Sequence, residues 1–211
     1  MPECAGGAGD PDGAAAAMGL RIAASLMCTL LAFGNGLVHA ADVAGVRVDP
    51  RARVAGVDLA LNGAGLRQLF FTDVYVIGLY VRERTASAES VINISGPTRI
   101  SLTFLRDVTA KSLVDALYEG VRDNTTAAEF SRLKASADAL SAIMLPLQQA
   151  RKGDIVALDF VPESGAQVVM NGNAVGPPVP DRELYRALLR IWLGDPPVDG
   201  GLKRALLRGA G

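Results

Sequence analysis

The chain has 211 residues, 50% of them apolar and 20% charged, which suits one globular domain with a proper core. Its formal net charge is −1 and no long run of one sign occurs, so neither nucleic acid nor an anionic membrane is expected as an electrostatic partner. No repeat period runs through it, which excludes solenoids and arrays.

Residues 1–17 are rich in Gly and Ala and read as a disordered leader or an over-extended start. Arg21 then precedes an apolar stretch, residues 22–37, that ends at the small-x-small site Val38-His39-Ala40. Residues 18–40 therefore have the order and length of a signal peptide cut before Ala41, and the product is expected to be periplasmic or secreted. Gly34, Asn35 and Gly36 hold the unbroken apolar run below the roughly 18 residues of a span, so no stable membrane anchor is expected in the mature form. Leu26-Met27-Cys28 lacks the small residue that precedes a lipidated cysteine. Cys4, Cys28 and His39 all lie before the cut. An exported chain would have no thiol and no imidazole, which excludes thiol nucleophiles, His-based triads and zinc sites. No cofactor is expected. Arg21 is the one basic residue lost with the leader, against Glu3, Asp10 and Asp12, so the mature chain is close to neutral.

Residues 41–53 form a short N-terminal arm before a domain spanning residues 54–208. Residues 54–61 are a strand candidate, ending at the turn-like Asn62-Gly63-Ala64-Gly65. Residues 70–82 are the longest strand candidate. Val74, Val76, Gly78 and Tyr80 share one of its faces, and Tyr75, Ile77, Leu79 and Val81 share the other. Both faces are largely apolar, so this strand should be central and covered on both sides. One or two helical turns over residues 88–93 precede a strand over 99–105, with Ile100, Leu102 and Phe104 on one face.

Two helices follow. Thr109 is the N-cap of one, with Leu113, Leu117 and Val121 along its apolar side. Thr126 and Glu129 form a capping-box pattern at the start of the next, which carries Phe130, Leu133, Ala137, Leu140 and Met144 and ends near Pro146. Residues 154–161 return to strand, and Asn171-Gly172 is a hairpin-turn dipeptide. Asp181 caps a helix through Trp192, stopped by Gly194 and Pro196-Pro197. Residues 202–207 close the chain as a short helix. This order predicts an α+β fold, an antiparallel sheet with helices on one side. No glycine-rich phosphate loop follows a strand, which argues against a nucleotide-binding α/β fold.

The segment Leu61-Asn62-Gly63-Ala64-Gly65-Leu66-Arg67, followed by Val74-Tyr75-Val76-Ile77-Gly78-Leu79-Tyr80-Val81, resembles the chalcone isomerase family, in which a Gly-Ala-Gly-x-Arg turn precedes an Ile-Gly-x-Tyr strand. Leu193-Gly194-Asp195 through Leu202-Lys203 is similar to its C-terminal closure. Phe104-Leu105-Arg106-Asp107-Val108 and Leu189-Arg190-Ile191-Trp192-Leu193-Gly194-Asp195 resemble the bacterial secreted branch. The resemblance covers residues 54–207 and implies an open-faced β-sandwich, a curved antiparallel sheet with helices on one face and a ligand cleft beside them. It also implies a role for Arg67, which matches the arginine that steers a phenolate in isomerases and a carboxylate in fatty-acid-binding relatives. Tyr75 stands where the isomerases have a strand threonine, as in the fatty-acid-binding branch. Ser112, Glu119 and Ile191 stand where the isomerases keep Tyr, Asn and Thr. These departures remove most of the proton-handling groups.

The candidate ligand-binding residues are therefore Arg67, Tyr75, Arg106, Tyr118 and Glu119. A guanidinium offers a planar fork to a carboxylate. A tyrosine packs its ring and donates its hydroxyl. Arg106 could orient a ligand, or form an ion pair with Asp107 at a strand–helix junction. Tyr118 and Glu119 lie on the helix that walls the cleft in the family, where a buried Glu119 could serve as a base or an exposed one merely be solvated. Tyr80 is expected in the core, and Tyr185 and Trp192 between the last long helix and the sheet. The expected partner is a small acidic amphiphile. The rival readings are a cofactor-independent isomerase acting on a phenolic enone, and a periplasmic interaction module.

Overall fold

A computed structural model describes residues 41–208. The expected leader and signal peptide, with Cys4, Cys28 and His39, lie outside the described residues. A short hairpin, β1 (Ala41–Val43) and β2 (Val46–Val48), comes first where only an arm was expected. Strands β3 (Arg51–Val54), β4 (Val57–Leu69) and β5 (Thr72–Val81) follow, then helix α1 (Ala88–Ile92) and β6 (Thr98–Phe104). Next come β7 (Val108–Thr109), α2 (Ala110–Asp123), α3 (Ala127–Met144), a 3-10 turn (Leu145–Leu147) and β8 (Gln149–Ala150). The chain closes with β9 (Ile155–Val161), β10 (Gly165–Met170), β11 (Asn173–Val179), α4 (Arg182–Leu193) and α5 (Gly200–Leu206). The main sheet runs β11-β10-β9-β6-β5-β4-β3, antiparallel throughout, and curls around five helices. The α+β expectation holds.

Local chemistry sets the helix starts. Thr109, Thr126, Asp181 and Asp199 each accept a backbone N–H from the first turn of the helix that follows. The capping box at Thr126 is only half used: Glu129 turns away and takes an ion pair with Arg190 of α4 at 2.7 Å. Asn171 and Gly172 both have positive φ (50° and 82°) and make the tight turn between β10 and β11.

Central strand β5 has two covered faces, as its sequence predicts. Ile77, Leu79 and Val81 enter the main core with Ile100, Leu102, Phe104 and the buried face of α4. Val76 and Tyr80 enter a smaller cluster on the opposite face, with Val48, Val54, Leu59 and Leu61. There the Tyr80 hydroxyl donates to the Asp49 carbonyl, and burial pushes the phenol up to about 12. Tyr185 stacks on Phe160 with ring centres 4.9 Å apart, and its hydroxyl pairs with Thr98.

The segment Asn62-Gly63-Ala64-Gly65 is not a turn. Strand β4 continues through it to Leu69, with one extra residue, Asn62, bulged between the pairs Leu61–Tyr80 and Gly63–Leu79. Beyond the bulge Gly63, Gly65 and Arg67 face the helices, opposite Leu79, Ile77 and Tyr75. A Cβ on Gly63 would sit 2.3 Å from the Ala205 carbonyl oxygen, and one on Gly65 would sit 2.6 Å from a Leu202 methyl. The two glycines are the slot into which α5 docks. The bulged Asn62, 1% exposed, bonds to the carbonyls of Thr85 and Leu206 and to the Thr85 N–H.

Candidate functional site

Arg67 is the next residue after Gly63 and Gly65 on the helix-facing side of β4, and it stands where α5 begins. Its guanidinium is left partly open at the start of α5, with its side chain 19% exposed. Nη1 donates to the Gln68 carbonyl at 2.6 Å and lies 3.6 Å from Oδ2 of Asp199, too far for a hydrogen bond. The other oxygen of Asp199 caps α5 through the Leu202 N–H.

Tyr75 is the cross-strand partner of Arg67. Its ring packs edge-on against Phe104 of β6, centres 5.9 Å apart, and its hydroxyl oxygen accepts the indole N–H of Trp192 at 3.0 Å. Indole nitrogen only donates, so this bond uses the acceptor side of the phenol and leaves its proton free. That proton meets no acceptor among the described residues. Burial raises the Tyr75 pKa, outweighing the opposite pull of Trp192 and Arg67, so the group stays a neutral donor. The site thus presents two kinds of donor, a fixed cation and a phenolic O–H, on one patch of sheet under α4. That is the equipment for holding an oxyanion.

The other three candidates lie apart from this pair. Arg106 is exposed past the end of β6 and makes no ion pair among the described residues. Its neighbour Asp107 instead accepts the Lys152 backbone N–H at 2.8 Å. Tyr118 sits at the junction of α2 and α3, edge-on to Phe130, and its hydroxyl donates to Asp138. Desolvation, reinforced by the Asp138 carboxylate, raises its pKa. Glu119 is exposed on α2. Ser112 is exposed too, and its hydroxyl is engaged with the N-cap Thr109 at 2.8 Å.

Trp192 and Asp199 belong to the site although the sequence marked the first only as packing and the second not at all. Asp199 carried one legible signal, an Asp just before a short helix, but that signal speaks of capping, not of Arg67.

Two small clefts open on the helix side. One lies among Leu117, Tyr118, Ala137, Ser141, Leu184 and Leu188. The second presents an apolar surface and lies among Leu113, Met144, Leu147, Val156 and Met170, with Gln149 the one polar residue along it. Each has a free volume near 10 Å³, room for about one water. The second shares its face with the Arg67–Tyr75 pair: Val156 pairs with Leu102, two residues along β6 from Phe104, which pairs with Tyr75. No helix among the described residues is long and apolar enough to cross a membrane, and no cluster of metal-ligating side chains occurs among them.

No curated protein sequence matches the chain. Among solved structures it is similar to the Arabidopsis thaliana fatty-acid binding protein AtFAP1, with a TM-score of 0.64 at 19% identity over 79% of this chain and 93% of that one. A family model described as chalcone isomerase-like matches residues 40–208, most of the chain, and the chain therefore belongs to the chalcone isomerase-like family.

Proposed function

We propose that this chain is a non-catalytic binding protein for a small acidic amphiphile such as a fatty acid, held by its carboxylate at Arg67 and Tyr75. The observation that carries the reading is the donor-only character of the pair. Trp192 occupies the acceptor side of the Tyr75 hydroxyl, and what the pair has left to offer a ligand is a guanidinium and an O–H. AtFAP1, which shares the fold, is itself named a fatty-acid binding protein. From Arg67 a chain would cross β5, β6, β9 and β10 on the helix-facing side, four interstrand spacings or about 19 Å, to reach the apolar cleft at Met170. Each methylene buried on the way adds about 0.8 kcal/mol. The cleft is narrow as it stands, so binding requires that α2 or the side chains of Leu113 and Met144 give way.

Binding has a built-in reporter. Trp192 is the one tryptophan of the chain and bonds directly to Tyr75. Titration with fatty acids of increasing length should change its fluorescence and show tighter binding with each added methylene. No response to any acyl or aromatic acid would defeat the proposal.

Asp199 competes with such a ligand. Its carboxylate stands 3.6 Å from the guanidinium in a partly exposed setting, where a charge pair contributes about 0.5–1 kcal/mol. Asp199→Asn keeps the N-cap, since Asn caps as well as Asp, but removes the charge. The variant should bind a fatty-acid anion about two- to fivefold more tightly in calorimetric titration. Weaker binding would mean that Asp199 helps rather than competes.

Catalysis is not part of the reading. Ser112 is engaged with Thr109, Glu119 faces solvent and Ile191 is buried apolar surface, so none of these three positions puts a proton-handling group beside Tyr75, and the nearby carboxylate of Asp199 lies 3.6 Å from Arg67. One missing donor typically costs about 2.7–4 kcal/mol of transition-state stabilisation. A chalcone cyclisation assay should therefore show no turnover above the uncatalysed rate; turnover abolished by Arg67→Ala would refute this. We also place the protein outside the cytoplasm, because a charged start, an apolar run and Val38-His39-Ala40 occur in that order. The intact mass of the exported protein should correspond to a chain starting at Ala41, and a product retaining His39 would contradict export by this route.

A further inference from the structure

The turn between β4 and β5 breaks a rule that the rest of the fold obeys. Three other tight two-residue turns, Ala44-Gly45, Ala55-Gly56 and Asn171-Gly172, all place glycine second, and both residues of each have positive φ. Small, turn-tolerant residues are what such geometry selects. Between the paired Leu69 and Thr72 the two-residue turn is Phe70-Phe71, with only its first residue in the left-handed region, Phe70 at φ +56°. A bulky side chain in the left-handed region is an outlier, and here no packing compensates it. Phe70 is 89% exposed and Phe71 100%, with Leu69 at 51% beside them. Single exposed apolar residues are ordinary; three in a row on a strained turn are not.

The geometry around the tip narrows what it meets. The last β5–β6 pair is Tyr75–Phe104, so the hairpin runs three residues and a turn past the neighbouring strand, on the order of 10 Å. It is a convex projection, not a groove or a flat face. Its exposed apolar area is on the order of 400 Å², about half of what each partner contributes to a stable protein–protein interface. The three side chains carry no polar handle, whereas interface hot spots favour Trp, Tyr and Arg. Charges at this end of the sheet are balanced: Arg67, Arg106, Arg151 and Lys152 stand against Asp73, Asp107, Asp154 and Asp199, with Arg67 3.6 Å from Asp199 and Asp73 tied to Gln68 at 2.7 Å. A small apolar wedge with a neutral rim fits a soft, water-excluding medium that needs no complementary shape and no opposite charge.

We propose that Leu69-Phe70-Phe71 inserts into the interfacial layer of a lipid bilayer, electrically neutral headgroups included. Apolar faces that dock this way bury themselves about 5–10 Å deep, which the projecting hairpin can reach. The insertion would bring Arg67 and Tyr75, at the base of the same two strands, up to the lipid surface. Docking does not depend on the carboxylate reading of Arg67, and the two are tested by different variants.

The test uses purified protein and phosphatidylcholine vesicles. In sedimentation the wild type should partition to the vesicles, and the combined Phe70→Ser and Phe71→Ser variant should partition at least tenfold less while melting no lower. Added salt should leave the wild-type partition within about twofold, because no charge drives it. Phe71→Trp places a reporter on the tip. Its emission should shift to the blue on vesicles and be quenched by brominated lipid, while Trp192 in the wild type serves as the buried blank. An unshifted, unquenched signal from the Phe71→Trp variant, or equal partition of wild type and double variant, overturns the proposal. So does binding that occurs only on anionic vesicles and vanishes in salt. Self-association lost in the double variant, with vesicles ignored, would overturn it in favour of a second copy of the chain.

Discussion

Asn62→Ala and Gly63→Ala are each expected to lower the unfolding free energy by about 3 kcal/mol, a fall of about 6–12 °C in melting temperature for a domain of this size. The first removes a side chain with three buried or half-buried hydrogen bonds, to the Thr85 carbonyl, the Leu206 carbonyl and the Thr85 N–H. Partners left dry and unpaired lose their hydration without compensation. Asn62→Asp should be no better, because a carboxylate cannot donate to two carbonyl oxygens and would bring a buried charge. The second substitution drives a methyl to within 2.3 Å of the Ala205 carbonyl oxygen and 2.5 Å of that of Leu206. Both contacts are backbone, so α5 itself must move. Urea denaturation measures both, and a change below about 1 kcal/mol in either would show that α5 docks more loosely than this joint implies. The same joint bears on function, because α5 begins at Asp199, opposite Arg67.

That joint also marks where the sequence stops being legible. Features set by neighbours in the chain could be read directly. The caps at Thr109, Thr126 and Asp181 need only a side chain and an N–H a few residues on, and Asn171-Gly172 needs only its own dihedrals. Strand β5 showed its two buried faces as two apolar alternations. Gly63 and Gly65, by contrast, look the same in a turn as in a strand that another backbone approaches closely. What decides between them is α5, some 140 residues later in the chain. Phe70-Phe71 misleads in the opposite way: aromatic residues signal strand, and here they form the turn that precedes it.

The site was legible to the same extent. Arg67 and Tyr75 were marked by resemblance and prove to be cross-strand partners. The bond from Trp192 to Tyr75 spans 117 positions and left no trace in the periodicity of α4, where a buried tryptophan reads as packing. Tyr118 and Glu119 sit on the expected helix, but the helical phase turns Glu119 to solvent and Tyr118 to α3.

Arg67→Ala is expected to weaken binding of a long-chain fatty acid roughly tenfold to more than a hundredfold. A hydrogen bond to a charged group contributes about 1.5–3 kcal/mol, and the guanidinium is the one cation placed beside Tyr75 among the described residues. Arg67→Lys should rescue only part of this, since an ammonium cannot present two parallel donors to one carboxylate. Tyr75→Phe removes a neutral donor and keeps the ring against Phe104, so its effect should be smaller, about two- to tenfold. The two Arg67 substitutions leave the core under α4 untouched and should melt near the wild type, whereas Tyr75→Phe takes the acceptor from the buried Trp192 N–H and should melt lower.

The account stands most directly on calorimetric titration of wild type and Arg67→Ala with one long-chain fatty acid, kept below its micellar concentration. The prediction is a saturable wild-type isotherm and an affinity at least tenfold weaker in the folded variant. Equal affinity in the two proteins would contradict the claim that Arg67 holds the head group.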